Sequence, residues 1–122
     1  MKETEEITKN NNILNLVFAF NYGSHNEIHN AVLNLHNEKI NENLELDDIE
    51  RIFYNFFQYP EVPFPDALLR TAGEKRISNF LLYQLSYSEL IFIDALWPDV
   101  NEDILDDVLL EFNKRNRTYG QN

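Results

Sequence analysis

Apolar residues are grouped along the chain into three short runs separated by longer amphipathic stretches. Residues 13–20 form an almost continuous apolar run, and shorter runs occupy residues 66–70 and 90–96. Short apolar runs bounded by turn residues predict strands, and continuous apolar character is typical of a strand covered on both faces. Three strands are few for such a sheet, so its apolar faces would need further strands beside them.

The stretches between these runs carry apolar residues at helical spacing. They predict four helices, over about residues 24–37, 47–57, 79–88 and 102–115. Ser24 and Glu27 form a capping box for the first helix, Asp47 is a candidate cap for the second, and Ser78 for the third. Strands alternating with helices indicate an α/β fold with a parallel sheet and helices on both faces. Residues 1–12 are polar and are expected to be a frayed segment preceding one domain over residues 13–122.

Composition restricts the compartment and the partners of this domain. The chain has 122 residues, 43% of them hydrophobic, no cysteine, and a formal net charge of −11. The lack of cysteine fits a reducing, cytoplasmic compartment. The acidic balance argues against general nucleic-acid binding and against attraction to anionic lipid, leaving at most peripheral membrane contact. No apolar run approaches the roughly 20 residues of a membrane-spanning helix.

One basic cluster stands out in this acidic chain. The stretch Arg70-Thr-Ala-Gly-Glu-Lys-Arg-Ile-Ser-Asn79 follows the second predicted strand. Ligands of open α/β sheets bind at the carboxyl ends of strands. A glycine there lets the backbone approach a ligand closely, and an arginine can hydrogen-bond two phosphate oxygens at once. Arg70, Arg76 and Ser78 therefore suit a diphosphate, although an ordinary turn with solvated basic side chains explains the same spacing.

Other candidates carry weaker signals. Glu89 could bind Mg²⁺, which prefers carboxylate oxygen, but the sequence alone favours a solvated surface glutamate. His25, His29 and His36 share a helix face without a matching glutamate or cysteine, which favours a solvated polar face over a metal site. The aromatic residues are interpreted as core, with an aromatic lipid tunnel as the alternative; they are Phe53, Phe56, Phe57, Phe92 and Trp97.

Two long stretches closely resemble the C-terminal signature of the cis-prenyltransferases, the undecaprenyl or polyprenyl diphosphate synthases. They are residues 66–89, with the core pattern Arg-Thr-x-Gly-Glu-x-Arg-x-Ser-Asn-Phe, and residues 92–99. Residues 14–23 resemble an earlier Asn-Tyr-Gly strand end of the family, and residues 114–120 resemble its basic tail. The resemblance covers nearly the whole chain from about Asn12 and implies the C-terminal part of a parallel-sheet prenyltransferase fold.

The resemblance also implies an activity. Such enzymes use Mg²⁺ to condense isopentenyl diphosphate onto an allylic diphosphate with cis geometry. Arg70, Arg76 and Ser78 match the residues that hold the diphosphate of isopentenyl diphosphate, and Glu89 matches a glutamate associated with Mg²⁺. Members are homodimers, or heterodimers with a related subunit.

The chain departs from the family pattern in ways that leave three hypotheses open. Nothing in it matches the N-terminal Asp-Gly-Asn motif, whose aspartate is catalytic, so no catalytic residue is assigned. Thr118 stands where the family tail has an arginine, with Arg117 one residue away, and His25 replaces another arginine. The chain is then half of an enzyme that needs an N-terminal half, a non-catalytic partner subunit, or a truncated, non-functional frame. Its product length is not encoded in these residues.

Overall fold

The residues that the structure describes form a mixed α/β fold with four helices and a two-stranded parallel sheet. A computed structural model describes residues 2–37, 45–55, 57, 60 and 62–115. Their helices and strands are, in chain order, α1 (Lys2–Thr8), α2 (Ser24–Asn37), α3 (Leu46–Tyr54), β1 (Ala67–Arg70), β2 (Glu89–Phe92) and α4 (Glu102–Lys114). A short 3-10 turn, Trp97–Asp99, precedes α4. The predicted fold class is confirmed.

The two strands place the carboxyl end of the sheet at Arg70. They pair in parallel, with Ala67 opposite Glu89 and Arg70 opposite Phe92. Ile91 is the best-buried large side chain of the sheet, with 1% of its surface exposed. Helix α4 packs against β2, and α2 contacts α3. The predicted second and third strands are therefore present, each shortened to four residues.

The predicted first strand is wrong for this structure. Residues 13–20 lie outside any strand, and all eight are exposed. A strand needs a neighbouring backbone to complete its hydrogen bonds. Among the described residues, none is placed beside this run to serve as that neighbour.

The predicted helix over residues 79–88 is also wrong, because the segment forms consecutive turns. Ser78, Asn79 and Leu81 have positive φ angles, which a right-handed helix does not allow. The backbone N–H of Leu82 donates to the Ser24 hydroxyl at 2.9 Å, which ties these turns to the start of α2. A helix forms instead at Lys2–Thr8, within the segment expected to be frayed.

The helix caps differ from the predicted ones. Ser24 is already helical, and Glu45, without a side-chain cap bond, stands before α3 where Asp47 was expected. Asn101 caps α4, accepting a hydrogen bond from the backbone N–H of Ile104 at 3.0 Å.

The core combines a small aliphatic part with an aromatic cluster. Its buried apolar side chains are Ala31, Phe57, Leu85 and Ile91. Edge-to-face ring contacts, with centroids 5.1–5.8 Å apart, join five aromatic residues: Phe53, Tyr54, Phe57, Phe64 and Tyr83. Trp97 is 72% exposed, so its assignment to the core is wrong, and Phe56 lies outside the described residues. No helix in the described ranges is long and apolar enough to cross a membrane.

Candidate functional site

The basic cluster lies at the carboxyl end of the sheet, on a loop that backbone hydrogen bonds hold in place. We call residues 71–79 the basic loop. Ile93 N–H donates to the Arg70 carbonyl at 2.9 Å, and Gly73 N–H donates to the Ile93 carbonyl at 2.9 Å. Ala72 N–H then donates to the Ala95 carbonyl at 2.8 Å. The first turn of the basic loop is thus tied to the chain that leaves β2.

Unusual backbone conformations concentrate in and beside this loop. Positive φ angles occur at Ala72, Gly73, Ser78, Asn79 and Leu81. Such conformations are uncommon for residues other than glycine and cost of order 1–3 kcal/mol each, so the surrounding structure must hold them. At Gly73 a Cβ atom would also lie 3.2 Å from Asp94 Oδ1. Strained backbone of this kind clusters at ligand-binding sites.

Asn79 fastens the far end of the loop to helix α2. Its side-chain Oδ1 accepts a hydrogen bond from the backbone N–H of His25 at 3.0 Å, and its carbonyl accepts one from Ser24 N–H at 2.9 Å. The amide also lies over Gly23, where a Cβ atom would be 2.9 Å from Asn79 Nδ2. A residue 54 positions away therefore caps α2, and the same contacts hold the basic loop against that helix.

The three predicted diphosphate-binding residues all belong to this edge of the sheet. Arg70 is the last residue of β1 and is half-buried. Arg76 is on the loop, with its side chain 64% exposed and ion-paired to Glu74. Ser78 is exposed and adjoins Asn79. Ser78 does not begin a helix, so the expected free N–H groups of a helix terminus are not part of this site.

Glu89 lies at the opposite end of the strands. It is the first residue of β2, opposite Ala67, whereas Arg70 lies opposite Phe92. Three residues of strand separate these positions by about 10 Å along the sheet. The Glu89 carboxylate accepts a hydrogen bond from Arg115 at 2.9 Å, and Arg115 also donates to the Leu90 carbonyl and pairs with Glu111. These carboxylates raise the pKa of Arg115. Within this chain, Glu89 and the basic loop are separate.

A second polar cluster supports the turn that enters α2. The buried Glu27 carboxylate accepts hydrogen bonds from the Tyr22 hydroxyl and from Gln84 Nε2, the latter at 2.9 Å. Burial, together with the hydrogen bond to Glu27, raises the pKa of Tyr22 to about 12. The Tyr22 ring also meets Phe80 edge to face. The cluster joins the residues before α2 to the turns that follow the basic loop.

Sequence reasoning missed Asn79 and the true role of Glu27. Ser24 and Glu27 have the spacing of a capping box, which explains both residues by local contacts. In the structure Asn79 caps the helix and Glu27 accepts a hydrogen bond from Gln84. The available signal for this cap was an asparagine directly after Ser78. Asparagine tolerates positive φ angles, and its side-chain oxygen accepts hydrogen bonds from the first N–H groups of a helix.

The histidines do not assemble a metal centre in the part of the chain that the structure describes. His25 and His29 are exposed, with their rings 6.5 Å apart, and His36 lies further along the same helix. No group of three or more His, Cys, Asp or Glu residues among the described residues could hold a metal ion.

Comparison with known proteins places this chain in a family. The family model described as "Putative undecaprenyl diphosphate synthase" matches residues 1–120. An isoprenyl transferase of Fusobacterium nucleatum is 44% identical over 120 residues, a match that covers 98% of this chain and 50% of the relative. The ditrans,polycis-undecaprenyl-diphosphate synthase of Micrococcus luteus is 42% identical over 119 residues, covering 97% of this chain and 48% of the relative.

Solved structures show the same relationship. A probable undecaprenyl diphosphate synthase from Campylobacter jejuni superposes with a TM-score of 0.80 at 31% identity, covering 98% of this chain and 54% of that one. Lavandulyl diphosphate synthase from Lavandula x intermedia, solved with dimethylallyl diphosphate, gives 0.79 at 29% identity, with 98% and 52% coverage. The chain therefore belongs to the undecaprenyl diphosphate synthase family of prenyltransferases. It spans about half the length of the curated relatives it matches.

Proposed function

We propose that these 122 residues form the isopentenyl-diphosphate-binding half of a cis-prenyltransferase. Arg70, Arg76 and Ser78 would hold the diphosphate for condensation onto an allylic diphosphate. The observation that carries this proposal is the basic loop itself, a strained segment fixed at the carboxyl end of the sheet by its bonds to residues 93–95 and by Asn79. The Lavandula relative, solved with dimethylallyl diphosphate, supports an isoprenoid diphosphate as the class of ligand.

Electrostatics support a focused site of this kind. The chain has a formal net charge of −11, so diffuse attraction of an anion is unfavourable. Arg76 is ion-paired with Glu74 at an exposed position, and exposed ion pairs contribute about 0–1 kcal/mol. A hydrogen bond from a guanidinium to a charged group contributes about 1.5–3 kcal/mol. A diphosphate can therefore displace Glu74 from Arg76 with a net gain.

The magnesium assignment does not fit this chain alone. Glu89 is a single carboxylate already bonded to Arg115, and no further carboxylate or histidine joins it in a metal-sized cluster within the described residues. A magnesium site requires several oxygen ligands in octahedral geometry. Glu89 would contribute at most one ligand to a site completed by other residues.

Turnover is proposed to require the other half of the family fold, in the same polypeptide or in another. These residues contain no match to the Asp-Gly-Asn motif that the family places in its N-terminal half. A dimeric assembly with a related chain, as expected from the resemblance, would supply it. A non-catalytic partner subunit is the second candidate, and the two differ in whether the assembled protein transfers prenyl groups.

Isothermal titration calorimetry with isopentenyl diphosphate tests the binding proposal. Arg76→Ala is expected to weaken binding at least about tenfold, because one charge-assisted contact is lost. Arg51→Ala is the matched control, since Arg51 is also exposed and paired to a nearby carboxylate, Asp48, but lies on α3. It is expected to leave binding unchanged.

Equal affinities of wild type and Arg76→Ala would remove the diphosphate site from the basic loop. Equal losses in both variants would show that the ligand senses only overall charge. Prenyl transfer by the 122 residues alone, in the presence of Mg²⁺ and both diphosphates, would overturn the requirement for the other half.

A further inference from the structure

Glu27 is a carboxylate in the first turn of α2, and its burial is unusual. Only 9% of its surface is exposed, whereas Glu102 and Asp103, at the same end of α4, are exposed. The helix dipole favours a carboxylate near a helix N-terminus without requiring its burial. Removing the charge from water costs several kcal/mol unless hydrogen bonds compensate. The position of Glu27 therefore depends on specific donors.

One carboxylate oxygen of Glu27 joins two segments that are far apart in the sequence. Its Oε2 accepts hydrogen bonds from the Tyr22 hydroxyl, just before α2, and from Gln84 Nε2, 57 positions further on. Because an ionised carboxylate only accepts, Gln84 must turn the donor end of its amide toward Glu27. The amide oxygen of Gln84 is then buried without a hydrogen-bond partner among the described residues. An unpaired buried acceptor costs about 1–3 kcal/mol, so the bond to Glu27 is kept at a cost that an apolar side chain would avoid.

Further contacts join the start of α2 to residues 80–84. The Tyr22 ring meets the Phe80 ring edge to face, with centroids 5.6 Å apart. The fully buried hydroxyl of Ser24 accepts a hydrogen bond from the backbone N–H of Leu82 at 2.9 Å. Residues 80–84 form no helix or strand, so their position is set by these contacts and by the bond from Gln84 to Glu27.

The basic loop therefore has two separate supports. Its first turn is tied to Ile93 and Ala95, in the chain that leaves β2. Its last residue, Asn79, leads directly into the turns that Glu27 and Ser24 hold. Arg70 belongs to the first support and Ser78 to the second. The spacing between the predicted diphosphate-binding residues thus depends on both supports.

A diphosphate presents two phosphoryl groups at a fixed separation, whereas a monophosphate presents one. Simultaneous contacts with both groups require donors that supporting residues hold within about 0.5 Å of their positions. We propose that Glu27, Tyr22 and Gln84 are positioning residues that give the site its selectivity for a diphosphate over a monophosphate. The inference rests on the proposed function in taking the basic loop as the diphosphate site. It adds the residues that set the spacing of that site.

Calorimetric titration of the full 122-residue chain with isopentenyl diphosphate and isopentenyl monophosphate tests the inference. The wild type is expected to prefer the diphosphate at least about tenfold, because one more charge-assisted contact forms. Gln84→Leu removes the donor to Glu27 together with the unpaired acceptor, and Glu27→Gln removes the charge that both donors share. Each is expected to lower the preference at least about fivefold, whereas the affinity for the monophosphate changes less than about twofold.

A double variant and two controls separate positioning from folding. Glu27→Gln combined with Gln84→Glu exchanges donor and acceptor, so the hydrogen bond can form in the opposite direction and most of the preference should return. Asp48→Asn is the charge-matched control, because Asp48 lies in the first turn of α3 and pairs with Arg51. Asn101→Ala is the stability control, because it removes the cap of α4. Both controls are expected to keep the wild-type preference.

An unchanged preference in Glu27→Gln and Gln84→Leu would overturn the inference. Equal losses of affinity for both probes would also overturn it, because they indicate a general effect on the fold, and so would a double variant no more selective than the single ones. A wild type that binds both probes equally would refute the selectivity and leave the proposed binding function standing. A wild type that binds neither probe would refute both.

Discussion

Residues 13–20, which we call the apolar segment, are similar in composition to the β1–β2 pair and opposite to it in structure. Residues 13–20 are predominantly Ile, Leu, Val and Phe, as are residues 67–70 and 89–92 apart from their end positions. The paired strands carry the buried Ile91 and receive α4, whereas the apolar segment is exposed along its whole length. Hydrophobic pattern therefore shows which segments can be strands, and a neighbouring backbone decides which of them are.

The largest expected effect is a direct contrast in stability between these two regions. Ile91→Ala is expected to lower the free energy of unfolding by about 2–5 kcal/mol, because it removes buried methyl groups and leaves a cavity. Phe18→Ala removes a larger side chain from an exposed position and is expected to change that free energy by less than about 0.5 kcal/mol. Urea denaturation followed by circular dichroism measures both. Comparable losses would show that the apolar segment is packed in solution, and the two regions would no longer differ.

A smaller effect should separate the two asparagine caps. Asn79→Ala and Asn101→Ala each remove one cap bond of 3.0 Å and are expected to cost about 0.5–2 kcal/mol of unfolding free energy. Only Asn79 also holds the basic loop, so only Asn79→Ala is expected to weaken isopentenyl diphosphate binding. Asn79→Ser retains an uncharged acceptor oxygen and should restore part of it. Calorimetric titration measures the affinity of the three variants for isopentenyl diphosphate. A loss of affinity of the same size in Asn101→Ala would show that Asn79 acts only as a structural cap.

The smallest effect concerns Tyr22, where the exposed segment meets the ordered fold. Its pKa is raised from 10.0 to about 12 in the folded chain, so the folded state holds the phenolic proton more tightly than the unfolded state. Its contribution to stability is therefore complete below about pH 10 and is lost as the pH rises through about 12. Tyr22→Phe should show a shallower loss of stability over this interval. Urea titrations of both proteins at several alkaline pH values measure the difference, and parallel curves would contradict the raised pKa.

Much of the fold follows from local sequence signals. The sequence predicts the bounds of helices α2 and α4 and of strands β1 and β2 to within a few residues. Each of these elements has its own hydrophobic periodicity and is bounded by turn residues. The position of the basic loop at a strand end followed from the same reasoning. The proposed roles of Arg70, Arg76, Ser78 and Glu89 stay predictions, since their test is ligand binding.

The failures have a common physical cause in contacts between distant residues. The helix expected over residues 79–88 is replaced by turns with positive φ angles at Ser78, Asn79 and Leu81, and these turns are tied to the hydroxyl of Ser24, 58 positions from Leu82. The capping box at Ser24 failed because Asn79, similarly remote, supplies the cap. Local patterns do not contain such partners, and they identify a strand without showing whether its neighbour lies within the same residues.

The close approach of Gly23 and Asn79 has a consequence for how such a chain can change over time. An alanine at position 23 would place its Cβ 2.9 Å from the Asn79 amide, and moving that amide would release both the start of α2 and the end of the basic loop. A shortening at position 79 alone would leave the helix uncapped and the space above the glycine empty. Each substitution alone is expected to weaken this contact, so the two positions, far apart in the sequence, are expected to vary together.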